Sequence, residues 1–319
     1  MAKKPLKQLI NNHMNEDIQP YGLLVRDPLP GQAVYNRIFA GGIGSGESFN
    51  WKPFLPPRER QYRIPFCVAF SRTNCAEAKG RKEGIDINLS DRELGVISGT
   101  TQQGNYMDTV SEFFRQKGIT LEKDVPFTDA MLNLSTPNAW ADIFNLPDTT
   151  EKKRYKGGNF SWVYGLGAMI DALNYSPLQI AVGIGSNWES NGPIGAPAKI
   201  TAYHAVTLYH IDSQGNKYIQ DSIGKEWKIL KPDYPLTGTL SFRDLPEDWK
   251  DNMARVIREP NGTIRIELGI GDKKVNIGIN EANFANKIAQ SGEPIIDVPA
   301  PSPSKQIGVI EPGLVIDSE

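Results

Sequence analysis

The chain has 319 residues, of which 39% are hydrophobic and 23% are charged, and its formal net charge is −2. This composition is typical of a globular protein, and it provides no overall basic field that would attract nucleic acid or an acidic membrane. No run of about 18 apolar residues occurs, so we expect no transmembrane helix and no membrane partner.

The first 48 residues form an irregular N-terminal extension that contains the loop-like stretch AGGIGSGES. This stretch lacks the GxxxxGK[ST] pattern of a phosphate-binding loop. The N-terminus carries lysines but no apolar core segment, which argues against a secretory signal. We therefore expect a cytoplasmic or virion-associated protein.

Three helices are predicted next. The first begins at Cys67 and runs to about Lys79, without proline or glycine to interrupt its first turns. The second begins after Ser90, which has Glu93 three residues later in the capping-box spacing. The third covers NYMDTVSEFFRQK and ends at Gly118. Residues 128–162 show no strong period and are expected to be a long surface excursion.

Strands dominate the second half. A short helix in GLGAMIDALNYSP leads into the strand LQIAVGIG, and two β-rich runs flank the turn at 212–215. TIRIELGIGDKKVNIGI predicts a further hairpin, followed by a helix from Asn280 to about Gln290. Helices first and strands later indicate an α+β fold. We place the main domain at 49–234, a β-rich extension at 235–295 and a flexible tail at 296–319.

The two cysteines are interpreted differently. Eight residues of helix separate Cys67 from Cys75 by about 12 Å, too far to share a disulfide or a metal ion. The three histidines lack zinc-site spacing, and we expect no metal or cofactor. Cys75 is interpreted as a core residue. Cys67 opens a helix, where unpaired N–H groups stabilise a thiolate, although burial in the core is the competing interpretation.

The hairpin brings a second candidate group near the first. If its turn centres between Ser213 and Gln214, Asp221 lies opposite Val206 and shares a face with His204. The histidine and the carboxylate could then meet as a base and its orienting group. A slip of one residue would separate them, leaving a core histidine and a solvated carboxylate.

Several motifs in the same order resemble the papain-like cysteine peptidases. CVAFS resembles their CWAFS, Gln61 has the spacing of their oxyanion-hole glutamine, and NWK resembles DWR. LSDRELGVISG resembles LSEQ-LVDC, and QQGNYMDTVSEFFRQKGI resembles GCNGG with its following helix. HAVTLYHID resembles HAVLAVGYG, and DSIGKEW resembles NSWGTGW. AMIDALNYSPLQIAVGI matches the helix and strand before the histidine, so the resemblance covers about residues 49–230.

The resemblance implies a papain-like two-lobed fold with a helical lobe, a β-barrel-like lobe and a substrate cleft between them. It implies a cysteine endopeptidase that acts on a protein or peptide substrate. The residues to which it assigns catalysis are Cys67 as nucleophile, His204 as base and acid, Asp221 as its orienting partner and Gln61 in the oxyanion hole. Those to which it assigns substrate binding are Gly104, Asn105, Tyr106 and Tyr203.

Five features depart from the family pattern. Asp221 stands where asparagine is usual, and its charge should raise the pKa of His204. Ile223 replaces the tryptophan that covers this position, which implies a smaller shield. Asn105 replaces the second glycine of GG, which could narrow the cleft. The family's disulfide cysteines and its usual prosegment signature are absent.

These departures leave two alternatives open. One is a Cys-His-Asp acyl transferase of transglutaminase or arylamine N-acetyltransferase type, which would transfer the acyl group to an amine. The other is an inactive papain-like scaffold, structural or virion-associated, that acts through its extensions. For the peptidase and for both alternatives, the C-terminal extension is a possible docking site for a protein partner.

Overall fold

A computed structural model describes residues 22–35, 47–242, 244–246 and 249, and the strands 254–258, 263–270, 273–280 and 307–310. The chain divides into two compact units, one of residues 1–81 and 87–245, the other of residues 82–86 and 246–319. Among the described residues, no helix is both long enough and apolar enough to cross a bilayer.

The first unit begins with helices. After a 3-10 turn at Lys52–Phe54, the helices before the first strand are α1 Cys67–Lys82, α2 Asp91–Ile97, α3 Met107–Lys117, α4 Asp129–Asn133 and α5 Ala139–Phe144. The predicted starts at Cys67 and after Ser90 are confirmed, and Ser90 accepts a hydrogen bond from Glu93 N as the N-cap. Gly118 ends α3 with a φ of 64°.

The expected surface excursion at 128–162 instead contains α4, α5 and a first strand. Thr128 caps α4 by accepting from Met131 N. The largely buried Arg92 side chain donates to four backbone carbonyls, those of Pro126, Asp142, Ile143 and Asn145. This segment is therefore ordered by tertiary hydrogen bonds, which have no periodic signature in the sequence.

A six-stranded antiparallel sheet follows. Its strands are β1 Phe160–Trp162, β2 Leu178–Ile184, β3 Ala202–Ile211, β4 Lys217–Gln220, β5 Trp227–Leu230 and β6 Leu236–Phe242, and helix α6 Leu166–Ala172 lies between β1 and β2. The strand order is β1-β6-β2-β3-β4-β5. Because β6 pairs with both β1 and β2, this sheet continues beyond residue 234, where the sequence places the end of the main domain.

The hairpin register matches the prediction at the end that concerns the site. Thr207 lies opposite Gln220 and Leu208 opposite Ile219, so Asp221 follows directly opposite the segment that carries His204. The register shifts between Leu208 and His210, nearer the turn. This shift lies on the turn side of Leu208, so the part of the two strands next to His204 and Asp221 keeps the predicted register.

Helix α1 is packed in the core of the protein. Most of α1 is buried, and Cys75 has no exposed surface. Burial raises the pKa of the Cys75 thiol to about 12, with Arg72 and Thr207 opposing, so this cysteine is an inert core residue, as predicted. Large apolar side chains that include Trp51 and Trp188 pack with β2 and β3 in one cluster.

The second unit contains a four-stranded antiparallel sheet in the order β10-β7-β8-β9. Its strands are β7 Ala254–Arg258, β8 Thr263–Ile270, β9 Lys273–Asn280 and β10 Ile307–Ile310. The predicted hairpin is confirmed as β8 and β9. The expected flexible tail contains β10, which pairs with β7. Asn280, where the next helix is predicted to begin, ends β9, and residues 281–290 lie outside the described residues.

Candidate active site

Cys67 is the first residue of α1, and Pro65 and Phe66 lead into it from a turn closed by a hydrogen bond from Ile64 N to Gln61 O. The first helical bonds run from Ala69 N and Phe70 N to Phe66 O. The Cys67 side chain therefore lies at the end of α1 where the backbone N–H groups point outward and the helix dipole is positive.

His204 and Asp221 meet as the hairpin predicted. His204 Nε2 lies 2.7 Å from Asp221 Oδ1, and neither side chain has exposed surface. The acceptor at Asp221 assigns the proton to Nε2. The Cys67 side chain is the other group that interacts with the ring, and it stabilises the protonated form of His204. Cysteine, imidazole and carboxylate thus form one continuous series.

The electrostatics of the pair favour its charged form. Burial by itself would lower the pKa of His204, but the Asp221 carboxylate and the Cys67 side chain outweigh it and raise this pKa to about 9. Burial would raise the pKa of Asp221, but His204 and then Lys228 lower it below the usual value. His204 is therefore held as an imidazolium at neutral pH.

Two further side chains contact Asp221, and the sequence motifs did not indicate either of them. Trp188 Nε1 donates to Asp221 Oδ2 at 3.0 Å, and Lys228 Nζ lies 2.6 Å from the same oxygen. Backbone N–H of Ile223 donates to Oδ1 at 2.9 Å. Trp188 also packs edge-on against His204, with ring centroids 6.0 Å apart.

The expectation of a smaller shield over the carboxylate is therefore wrong. Ile223 does replace the tryptophan after Asp221, but Trp188, from the loop between β2 and β3, covers the pair instead. Trp227, which carried the motif resemblance, is 40% exposed and packs on Tyr209. A lone tryptophan in the Gly- and Asn-rich stretch 185–192 is the one sequence signal that could have pointed to this role.

Gln61 is fully buried beside this group. Its side-chain oxygen accepts from Ser222 Oγ at 2.7 Å, and its backbone N–H donates to Ser222 O at 3.3 Å. Its side-chain nitrogen donates to Ile64 O at 2.7 Å. Gln61 is thus joined to the residue after Asp221 and to the turn before Cys67.

The side chain of Asn105 is buried and hydrogen-bonded within its own segment. Its Nδ2 donates to Ser98 O at 3.0 Å and lies within hydrogen-bonding distance of Thr100 Oγ1, and its Oδ1 accepts from Tyr106 N. This polar network holds the 98–100 loop where the resemblance would place a disulfide. Gly104, with φ at 101°, allows the tight approach of the chain at this point.

The backbone of Asn105 is already paired with the N-terminal extension. Asn105 N donates to Gly22 O, and Leu24 N donates to Asn105 O, each at 2.9 Å, as a parallel bridge. Gly22 lies so close to Pro65 and Gly104 that an added Cβ would come within about 2 Å of the Pro65 carbonyl oxygen.

Arg26 secures the same segment. Its guanidinium makes a two-point contact with the buried Asp108, at 3.1 and 2.7 Å, and donates to Thr109 Oγ1 at 2.8 Å. It also stacks over Tyr106, 4.2 Å from the ring centroid. Tyr203, beside His204, is 37% exposed and belongs to β3. The structure thus places Gly104, Asn105 and Tyr106 along the segment that residues 22–26 cover.

The fold is similar to that of solved cysteine proteases. Xylellain from Xylella fastidiosa matches with a TM-score of 0.57 and 14% identity, over 72% of this chain and 98% of that one. Digestive procathepsin L2 from Tenebrio molitor larval midgut matches with a TM-score of 0.55 and 16% identity, over 74% and 82%. The Carica candamarcensis protease CMS1MS2, solved with E-64, matches with a TM-score of 0.52 and 16% identity, over 63% and 99%.

No protein-family model and no curated protein matches the chain in sequence. The structural matches define the class of fold: this chain has a papain-like α+β fold, as its sequence motifs predicted. The identities of 14–16% are too low to carry an activity over from these neighbours.

Proposed function

We propose that this protein is a cysteine endopeptidase of papain-like type, with Cys67 as nucleophile, His204 as base and acid, and Asp221 as the orienting carboxylate. The observation that carries the proposal is the buried hydrogen bond of 2.7 Å from His204 to Asp221, with the Cys67 thiol as the other neighbour of the ring. A nucleophile next to a base, which is in turn oriented by a third group, is the arrangement that covalent acyl transfer requires.

In the proposed reaction, the Cys67 thiolate attacks the carbonyl carbon of a peptide bond. The resulting oxyanion accepts hydrogen bonds from the Cys67 backbone N–H and from Gln61, and losing one such donor costs on the order of 100- to 1,000-fold in rate. Collapse of this intermediate expels the amine, which takes the proton from His204 Nδ1. Water then attacks the thioester, giving its proton to His204, and the acid leaves.

The described conformation is a closed one. Cys67 and His204 have no exposed surface, and the Asn105 backbone pairs with Gly22 and Leu24. An extended substrate would use the same backbone N–H and C=O groups of Asn105. We therefore propose that residues 22–26 must move away from Asn105 before a peptide binds. This extension would thus keep the enzyme latent.

A peptide-library digest with wild type, Cys67→Ala and Cys75→Ala tests the activity. Cleavage by wild type and Cys75→Ala, and none by Cys67→Ala, would support the proposal, because Cys75 is an inert core thiol. Equal digests from wild type and Cys67→Ala would contradict it and favour an inactive scaffold. Adding a primary amine separates hydrolysis from acyl transfer, since a transferase would form the amide in place of the free acid.

A further inference from the structure

A row of four charged side chains of alternating sign crosses the site. His204 Nε2 lies 2.7 Å from Asp221 Oδ1, Asp221 Oδ2 lies 2.6 Å from Lys228 Nζ, and Lys228 Nζ lies 3.0 Å from Glu189 Oε1. The side chains of the first three are 2% exposed or less, whereas that of Glu189 is 46% exposed. The row therefore runs from the buried histidine to the solvent.

Lys228 is fixed in this row by more than its charge. Besides Asp221, its ammonium donates to the backbone carbonyls of Ile223 and Lys225, each at 3.0 Å. Its Nζ lies 5.0 Å from the centre of the Trp188 ring. The ammonium thus has a partner for each of its three protons, and it holds the loop after Asp221 closed on the carboxylate.

A buried carboxylate that lies between a histidine and a second cation raises the pKa of the histidine less than a carboxylate that faces the histidine alone. The field of Asp221 stabilises the imidazolium of His204, and the field of Lys228 opposes it along the same line. Removing one charged side chain from this row leaves a neighbouring buried charge without its partner. The pKa values of the remaining groups then change.

We propose that Lys228 is a positioning residue of the active site, which holds Asp221 against His204 and offsets part of the carboxylate's charge at the histidine. The proposal deepens the proposed function and rests on it. Lys228 acts on His204 in two ways, through the position of Asp221 and through its own charge. Its described contacts include neither Cys67 nor the residues Gly104, Asn105 and Tyr106.

The other charged groups near Asp221 come from four places in the chain. Arg58, before the cysteine helix, interacts with Asp221 and donates to Gly224 O at 2.7 Å. Glu189 meets Lys228 from the loop before β3, and Glu226 precedes β5 and interacts with Arg58. Cys67 faces His204 from α1. All of these stay unchanged in the variants below.

The test is a titration of His204 by NMR in histidine-labelled protein, which needs no catalytic activity. The variants are Lys228→Met, Asp221→Asn and the double variant Asp221→Asn/Lys228→Met. The matched control is Lys225→Met, which removes an exposed lysine that contacts Glu189 O and Asn191 and makes no described contact with Asp221.

We expect Lys228→Met to raise the pKa of His204 by about one unit or more, both with Asp221 present and in the Asp221→Asn background. Lys225→Met should leave this pKa in place. Should Lys228→Met alone fail to fold with its unbalanced carboxylate, the comparison of the double variant with Asp221→Asn decides. The proposal is overturned if the pKa of His204 stays the same when Lys228 is replaced in a protein that folds, with Asp221 or with Asn at position 221.

The alkaline limb of the rate of peptide cleavage should move in the same direction as the NMR titration. If neither the wild type nor any variant cleaves peptides, the proposed peptidase function is wrong. The NMR titration still tests the role of Lys228 in that case. The two failures are therefore distinguishable.

Discussion

Trp188 and Asp221 are joined by a hydrogen bond of 3.0 Å from the indole Nε1 to Oδ2, and the same indole packs edge-on against His204. The tryptophan arrives from the loop between β2 and β3, 33 residues before the carboxylate that it covers. A side chain that is both donor and apolar cover fixes the orientation of the carboxylate and keeps water from the histidine.

Trp188→Phe should therefore lower kcat and leave KM little changed. Phenylalanine keeps an aromatic cover but removes the donor, and a hydrogen bond to a charged group contributes about 1.5–3 kcal/mol, equivalent to roughly ten- to a hundredfold in rate. Steady-state kinetics on a cleaved peptide measure the effect. Trp227→Phe is the control, since Trp227 is 40% exposed and packs on Tyr209. Equal losses in the two variants would contradict the assignment.

The pH dependence of cleavage should have its alkaline limb near pH 9. The imidazolium of His204 protonates the leaving amine, and the pKa of this histidine is raised to about 9, so the active form persists until His204 loses its proton. The profile of kcat/KM between pH 6 and pH 10 checks this. An alkaline limb near pH 6.5, the ordinary value for histidine, would show that Asp221 does not sustain the charge.

Arg26→Ala should speed the modification of Cys67 by a small thiol reagent. The substitution removes the two-point contact with Asp108 and the stacking on Tyr106, which hold residues 22–26 on Asn105. A charge-assisted contact of this kind contributes about 1.5–3 kcal/mol, so the open population should rise roughly ten- to a hundredfold.

The rate is followed at Cys67 by peptide mapping, so it does not depend on catalysis. Arg115→Ala is the matched control, because Arg115 pairs with Glu112 on the exposed side of α3. If both variants react at the wild-type rate, the extension does not limit access to Cys67.

The free energy of unfolding should fall as the pH rises from about 5 to 8. Burial raises the pKa of Glu77 to about 8, and likewise that of Glu122. The folded protein therefore retains protons that the unfolded chain has released above about pH 4.3. Since the folded state binds more protons, its stability declines over this interval, by up to about 1.4 kcal/mol per pH unit for each group.

Glu77→Gln should flatten this decline, because glutamine retains an acceptor for Leu89 N without the charge. Urea unfolding at pH 5 and pH 8 should give similar stabilities at the lower pH and a more stable variant at the higher one. Glu112→Gln, at a half-exposed position of α3, should keep the wild-type slope. The same slope in Glu77→Gln and wild type would contradict the prediction.

Local patterns were sufficient to predict several elements correctly. The start of α1 at Cys67, the Ser90 cap of α2, the Gly118 stop of α3 and the register that places Asp221 beside His204 depend on residues close in the chain. Capping and turn chemistry act over a few residues, so they leave a signature that a sequence displays. The papain-like motifs, ordered along the same elements, predicted the class of fold.

Only the tertiary structure decided what surrounds these elements. Trp188 and Lys228 reach Asp221 from different loops and strands, and Gly22 and Leu24 pair with Asn105 across some eighty residues of chain. These contacts are made by isolated side chains or by backbone groups, which have no period and no fixed spacing. The sequence alone determined the helix start, the hairpin and the cysteine–histidine order, because those are local. The charge balance at His204 and the closure over Cys67 depend on where the folded chain brings distant groups together.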